Sequence, residues 1–509
     1  MPKVSTAKQL LKGSVTRVSQ TLVSIIVAFF MMPFLIHELG DHWYGVWTVV
    51  GSLAAAYHLF DMGMASAVTR YVSHSFSLND DDGANTTINT SVAIYLSIAA
   101  VIAILTVAVS FIARGFIEAE SDKDIVQLLV LIIGTSVACE FPFNALAGIA
   151  QAKLRFHHVA ITRIVVTLLG ALLTWWFISQ GHGVVTLAVI AFGTARLSNI
   201  IYFAICRSAF PNMTFSKKFI SGSKGRELFG YSIWSFVIAI AHQLRNNVDS
   251  FVIAGFLSAA TVPHYVIGQR LVDYIIQLLS QATNMFTPIF TGYHAQGNIT
   301  ELREKLLFIT RINLVLVMIA SSGMFIFGQA FISLWMGPDY AIAYWVMVIL
   351  LTGRMLSVVN LTLTTTLYAV NRHRLLAKIE VVEVVMNLLL SLVLVQYFGI
   401  IGVAMGTMIP QLFLRIFVLP VYACRAIGIP VRDYFLCLAR PLASVITPLA
   451  AIYYWIQTGP QVESYIEIMT YAVIMSVFTG IAGLKFGFSR EQQSELRKLL
   501  PGKHLRALV

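Results

Sequence analysis

The chain has 509 residues, 58% hydrophobic and 12% charged, with a mean hydropathy of +0.78. Soluble domains run at roughly half apolar and about a quarter charged, so this composition excludes a soluble enzyme and indicates a polytopic membrane protein. The net charge of +11 then calls for a topological explanation, not a nucleic-acid partner.

About 20 apolar residues cross a ~30 Å hydrocarbon core, and about fourteen such windows are read along the chain. The first dozen residues, with Lys3, Lys8, Leu10, Leu11 and Lys12, form a basic amphipathic segment at the inner interface. Span 1 runs from about Val15 to Ile36, with Arg17 near its inner end and Pro33 near its outer end. It lacks a small-residue cleavage site and leads straight into the next span, so no cleavable signal peptide is expected. The short outer turn His37 to His42 holds two His and two acids, but their spacing matches no metal motif.

Span 2 is expected from Trp43 to roughly Ser73, too long for the core alone, with Asp61 toward its inner end. Spans 3 and 4, about Thr86 to Ala113 and Ile125 to Ala150, are joined by an acidic outer loop, and Glu140 with Pro142 interrupts the second. Spans 5 and 6 occupy His157 to Ser179 and Val184 to Cys206, followed by the most basic loop, Arg207 to Arg226. Spans 7 and 8 fill Leu228 to His294. Spans 9 to 12 lie at about Leu306 to Gly328, Ala341 to Val370, Leu375 to Phe398 and Gly402 to Cys424, and spans 13 and 14 at Tyr434 to Ile456 and Tyr465 to Leu484. Ser489 to Gln492 has capping-box spacing for a short inner-surface helix.

Most of the 35 Lys and Arg fall in the expected inner loops and tails, while the outer loops hold only Arg114 and Lys123. Both termini are therefore placed in the cytoplasm, with the basic face against anionic headgroups. The four cysteines show no CxxC spacing and read as small buried hydrophobes. Sequons beginning at Asn85, Asn89, Asn212, Asn298 and Asn360 fall on the inner side or in spans and read as chance matches. Gly402 and Gly406 read as close helix packing, and the absence of a phosphate-cradling glycine loop removes ATP as direct power source.

Shifting the sequence by 217 positions lays Ala152 to Phe177 over Ala369 to Leu394, and a shift of 218 places Leu39 on Leu257 and Trp47 on Tyr265. Both agree on a repeat of six spans. The expected fold is all-α, with two six-helix lobes in pseudo-twofold repeat around a central cavity and two extra C-terminal helices. The expected divisions are 1–206 and 228–426 for the lobes, 207–227 for a cytoplasmic linker, 427–488 for the last two spans and 489–509 for the tail.

Leu39-Gly40, Tyr44-Gly45-Val46-Trp47, Leu59-Phe60-Asp61-Met62-Gly63-Met64 and Ala67-Val68-Thr69-Arg70-Tyr71 resemble the opening helices of polysaccharide-export flippases, Wzx-type or otherwise acting on lipid-linked oligosaccharides. The usual form is LG, YGLW, LLDLGL and a TRY ending, with Met standing for Leu twice here. Gln151-Ala152 with Arg155-Phe156, and Gly399 to Ala404, resemble further signatures of that family. The resemblance implies the multidrug/oligosaccharidyl-lipid/polysaccharide exporter fold, in which rocking lobes give alternating access and helices 1, 2, 7 and 8 line the cavity. It implies polyprenyl-pyrophosphate oligosaccharide as cargo, membrane lipids and polysaccharide assembly proteins as partners, and a bacterial inner-membrane location serving O-antigen, capsule or exopolysaccharide synthesis.

Spans 7 and 8 carry Arg245, Asp249, Arg270 and Asp273 inside membrane-length segments, where an ionisable side chain is costly unless it faces a bundle interior or a polar cavity. Arginine suits a pyrophosphate, because its planar fork binds phosphate oxygens bidentately and stays charged when desolvated. Arg245, Asn246 and Arg270 are therefore the expected substrate-binding residues, with Arg17 receiving the head group at the inner mouth. The bland alternative pairs Arg245 with Asp249 and Arg270 with Asp273 along their own helices. Asp61, Asp249 and Asp273 are candidates for coupling to Na+ or H+, and no other cofactor is implied. Glu140, Glu380 and Glu383 are expected to pair with Arg163, Arg196, Arg354 or Arg415. Competing readings are a cation-coupled multidrug exporter, a non-transporting scaffold, and a glycan polymerase or ligase, for which every outer loop is too short.

Overall fold

The computed structural model describes residues 4–61, 63–116, 120–153, 155–284, 293, 296–370, 372, 374–458 and 464–499, although inside some helices, notably over 4–15, 17 and 230–246, it describes the backbone only. Among the described residues there is no strand. Helix α1 (Val4–Tyr57) is followed by a 3-10 turn, His58–Asp61, and by α2 (Met64–Ser77), α3 (Asp81–Phe116), α4 (Glu120–Asn144), α5 (Ala147–Ala152), α6 (Phe156–Ile178), α7 (Val184–Ala209) and α8 (Gly222–Phe256). Then come α9 (Val262–Asn284), α10 (Ile299–Met336), α11 (Ala341–Val359), α12 (Leu361–Ala369), α13 (Arg374–Phe413), α14 (Leu419–Ile427), α15 (Val431–Thr458), α16 (Tyr465–Phe486) and α17 (Arg490–Leu499).

Ten described helical stretches are long and apolar enough to cross a membrane. Two of them are too long for one crossing. At 1.5 Å per residue, α1 would run ~80 Å if straight, and it is interrupted at Gly40 (φ 77, ψ 162). Helix α13 is interrupted likewise at Gly399 (φ 56, ψ −135). There the doubling back is visible: a Cβ on Gly402 would lie 2.1 Å from the Leu394 carbonyl oxygen, and one on Gly406 would lie 2.3 Å from Ser391 Oγ. The Gly402/Gly406 pair thus packs the two arms of one hairpin. With α8 and α9 added, the fold is an all-α membrane protein of about fourteen spans.

The chain divides into two compact units, Met1–Pro263 and His264–Val509, so that the boundary in packing follows α8. Each unit buries small hydroxyl residues between its helices, as membrane interiors do, and carries large apolar side chains both in its core and on its outer surface. In the first unit Thr87 and Ser91 are fully buried, and Ser91 returns its hydroxyl to the Thr87 carbonyl at 2.7 Å. In the second, Thr310, Thr362 and Thr366 are buried, and the Thr310 and Thr362 hydroxyls meet at 2.6 Å. Phe30, Ile104 and Ile200 in one unit, and Tyr397 and Ile466 in the other, are largely exposed, as lipid-facing side chains should be.

Left-handed turns recur with the repeat period. Asn79 (φ 54) and Gly297 (φ 70) are 218 apart (297 − 79), and so are Gly181 (φ 84) and Gly399 (φ 56), at 399 − 181. These pairs add backbone support to a repeat that side-chain identities alone carry weakly.

Three expectations need correction. Span 2 is not continuous: α1 ends at Tyr57, and α2 starts only after Gly63, whose φ of 72 breaks the helix. Span 10 is broken at Asn360, between α11 and α12. Of the cysteines, Cys206, Cys424 and Cys437 are buried, but Cys139 is exposed. The capping box at Ser489 forms as expected, with Gln492 N donating to Ser489 Oγ (3.4 Å) and Ser489 N to Gln492 Oε1 (3.2 Å). Arg311 Nη1 also donates to Gln492 Oε1 (2.5 Å), fixing α17 to α10.

Candidate functional site

Asp61 occupies the break in span 2. Its Oδ1 accepts the Tyr95 hydroxyl from α3 at 2.5 Å, and Ala65 N, at the start of α2, lies 3.5 Å from Oδ2. Tyr95 is fully buried and packs edge-on against Phe141, on whose other contact His58 stacks at 6.1 Å. An Asp inside a membrane-length segment is the kind of group that marks an ion or proton pathway. The same contacts also satisfy it structurally as an N-terminal partner of α2.

Arg17 lies on α1, and Arg245 and Asn246 on α8; their backbones are helical, and their side chains fall outside the described residues. Asp249, one turn beyond Arg245, is 1% exposed.

In the second unit the structure separates two charges that sequence spacing would join. Asp273 on α9 forms its ion pair with Arg354 on α11, not with Arg270 one turn away. Helix α9 is pressed on α11 at the same seam: a Cβ on Gly268 would lie 2.5 Å from the Ala343 carbonyl oxygen and 2.9 Å from Met347 N. Arg270 is exposed and makes no ion pair or hydrogen bond among the described residues.

A second buried network surrounds Arg415. Its Nη2 donates to Glu380 Oε1 at 2.8 Å and to Glu383 Oε2 at 2.9 Å, the pairing expected for these glutamates. Arg415 sits in a single π turn, Leu414–Val418, a local irregularity that disturbs the carbonyl ladder. Asn360 Nδ2 donates to the Arg415 carbonyl (2.6 Å), and Tyr434 donates to Asn360 Oδ1 (2.6 Å), so this network reads as architecture. Arg196 donates to the Ser136 carbonyl at 2.8 Å and leaves Glu140 without an ion pair among the described residues.

Sequence reasoning missed a third set. The basic loop after α7 is a strap tied to α3 by Asn85 and Asn89. Asn85 donates to the Asn212 carbonyl (3.1 Å) and accepts from Thr214 N (2.9 Å); Asn89 donates to the Thr214 carbonyl (2.8 Å) and accepts from Ser216 N (2.9 Å). The registers match because four helical residues rise ~6 Å, and two extended residues cover about the same. Thr90 Oγ1 accepts from Ser221 N (3.0 Å), and Asn212 Nδ2 donates to Asp81 (2.6 Å). Where the strap ends, Lys224 lies over the Tyr71 ring at 4.1 Å and donates to Glu227 (2.9 Å), which holds the Glu227 carboxyl below the usual carboxylate range.

His42 Nε2 meets Asp122 Oδ2 at 2.9 Å, so the His37 to His42 segment is joined to the acidic start of α4. Among the described residues no three His, Cys, Asp or Glu side chains converge to hold a metal ion.

Residues 10–294 match the family described as polysaccharide biosynthesis protein. Over 188 residues the chain is 29% identical to a probable low-salt glycan biosynthesis flippase, Agl15, of Haloferax volcanii, spanning 37% of this chain and 40% of that relative. It is 20% identical over 495 residues to the uncharacterized membrane protein EpsK of Bacillus subtilis, covering 94% and 95% of the two chains. In three dimensions it is similar to the lipid II flippase MurJ in an inward closed conformation, with a TM-score of 0.72, 14% identity, and 92% and 98% of the two chains covered. An inward-facing multidrug resistance transporter of the MATE family gives a TM-score of 0.63 at 13% identity, covering 82% and 98%. At these identities the structural likenesses show the fold.

Proposed function

The chain belongs to the polysaccharide biosynthesis protein family, and from that premise we propose that it is a flippase carrying polyprenyl-pyrophosphate oligosaccharide from the inner to the outer leaflet of a bacterial cytoplasmic membrane. Translocation proceeds by alternating access, with both termini in the cytoplasm, and serves O-antigen, capsule or exopolysaccharide assembly beside other assembly proteins. No bond is made or broken, so the protein is a transporter and not an enzyme.

The observation that carries the reading is Arg270, an exposed guanidinium on the 23-residue α9 whose nearest acid in sequence is already bound to Arg354. Such a group is costly in a membrane unless it faces a polar cavity, and a pyrophosphate reaching that cavity accepts its forked donors. Arg245 and Asn246 on α8 complete the head-group site in this reading, and Arg17 receives the head group at the inner mouth. Asp61, Asp249 and Asp273 are the carboxylates for coupling to Na+ or H+. Of these, Asp61 has a neutral partner and Asp273 a cationic one.

The test is flipping of a fluorescent polyprenyl-pyrophosphate oligosaccharide in proteoliposomes, with the intact protein compared against an Arg245→Ala, Arg270→Ala variant of equal thermal stability. Flipping by the intact protein alone supports both cargo and site. Equal flipping by both removes the arginine site, and no flipping with any of several glycans overturns the flippase reading.

A further inference from the structure

The strap between α7 and α8 has an inside and an outside. Phe210 and Met213 are each 3% exposed and join the core of the first unit, where Phe76 meets the Phe210 ring at 5.0 Å. Phe215 and Ile220, by contrast, are 50% and 48% exposed, and Lys217 and Lys218 between them are exposed as well. Large apolar side chains interleaved with lysines suit neither water nor the hydrocarbon core alone. They suit the boundary between the two.

Hydrogen bonds to α3 fix the strap's position along that helix. Asn85 and Asn89 hold it parallel to the first turns of α3, with Asn212 at the acidic start of that helix and Ser216 one turn further in. Phe215 stacks on Phe203 of α7 (6.2 Å, 23°), and Phe203 with Ile200 belongs to the apolar outer surface of that helix. Phe215 therefore continues the lipid-facing strip of α7 to its inner edge. The aspartates at 80–82 lie at the opposite end of the strap from Lys217, whose side chain has no ion pair or hydrogen bond among the described residues. Lys218 rests over the Phe219 ring at 4.6 Å.

We propose that this strap is a binding site for an anionic phospholipid of the inner leaflet, with Lys217 and Lys218 on the phosphate and Phe215 and Ile220 among the upper acyl chains. The occupant follows from charge complementarity and from continuity with the lipid-facing surface of α7. The inference does not depend on the cargo of the protein. Each cation near an anionic leaflet contributes enough for removal of both lysines to weaken binding roughly ten- to thirty-fold.

Native mass spectrometry of the full chain in mild detergent, titrated with phosphatidylglycerol or phosphatidylcholine, provides the test. The intact protein should retain phosphatidylglycerol in preference to phosphatidylcholine, and Lys217→Gln with Lys218→Gln should lose that preference. An Arg425→Gln, Arg432→Gln variant, which removes the same charge elsewhere, should keep it. Asn89→Ala, which frees the strap without changing its charge, should weaken retention, with melting curves confirming that each variant is folded. Equal retention by the lysine variant, or equal loss in the arginine variant, would overturn the proposal.

Discussion

Arg354 reaches across from α11 to pair with Asp273 on α9, and leaves Arg270, three residues before Asp273, without an acidic partner among the described residues. An i, i+3 spacing permits a pair but does not enforce one. Here the close seam at Gly268 brings α11 near enough for its guanidinium to win Asp273.

The two arginines should consequently respond differently to mutation. Arg354→Ala strands a carboxylate that is only 25% exposed, at a cost of roughly 2 kcal/mol, below the value for a fully buried pair. Arg270→Ala should change stability by less than about 0.5 kcal/mol. Thermal unfolding in detergent decides. Equal losses for the two would mean that Arg270 is also structural.

Around Arg415 the expected order is steeper. Its replacement by Met leaves Glu383, 1% exposed, beside Glu380 with no guanidinium between them. Removing one member of a buried charge network costs about 3–5 kcal/mol, so Arg415→Met alone should barely accumulate as folded protein. The triple change with Glu380→Gln and Glu383→Gln should recover much of that loss in the same melting experiment. No recovery would indicate that the π turn at Leu414–Val418, and not charge balance, is what Arg415 supports.

Asn89→Ala removes two hydrogen bonds to the strap backbone and exposes neither group to full hydration, a loss of about 2 kcal/mol or more. Limited proteolysis should then cut within 211–221, whereas Ser97→Ala, on an exposed turn of the same helix, should not promote cutting.

The asparagines mark how far the sequence was legible. The asparagines of all five chance sequons do structural work: Asn85, Asn89 and Asn212 fix the strap, Asn298 caps α10 through Glu301 N (3.2 Å), and Asn360 bridges the break between α11 and α12. An amide four residues from another in the first turns of a helix is a usable signal, but its partners are backbone atoms more than a hundred residues away, which no local pattern reveals. Spans, the Gly402/Gly406 contact and the Ser489 capping box were readable because each depends on composition or on neighbours in sequence. The break before Gly63 was hidden by the apolar residues on both sides of it, since hydropathy reports burial in lipid and not helical continuity. Arg354 could have met any of several acids, and only the packing of α9 on α11 selects Asp273.

Asp61 offers the sharpest separation of coupling from architecture. Its structural duties are to accept from Tyr95 and to lie at the N-terminal end of α2, where Ala65 N approaches it. Asparagine keeps the stronger of the two, because its amide oxygen can accept the Tyr95 hydroxyl, while its NH2 replaces only the oxygen 3.5 Å from Ala65 N, a contact too long to contribute much. What Asn cannot do is carry a negative charge or exchange a proton. Asp61→Asn should therefore melt within about 1 kcal/mol of the intact protein, while losing the stimulation of flipping by an imposed Na+ or H+ gradient. The two gradients are applied separately, so that the ion is identified by the one whose effect disappears. Tyr95→Phe removes a hydrogen bond but leaves the charge, so it should lower stability and keep the gradient response. If Asp61→Asn responds to both gradients as the intact protein does, Asp61 is a structural partner of α2, and coupling passes to Asp249 or Asp273.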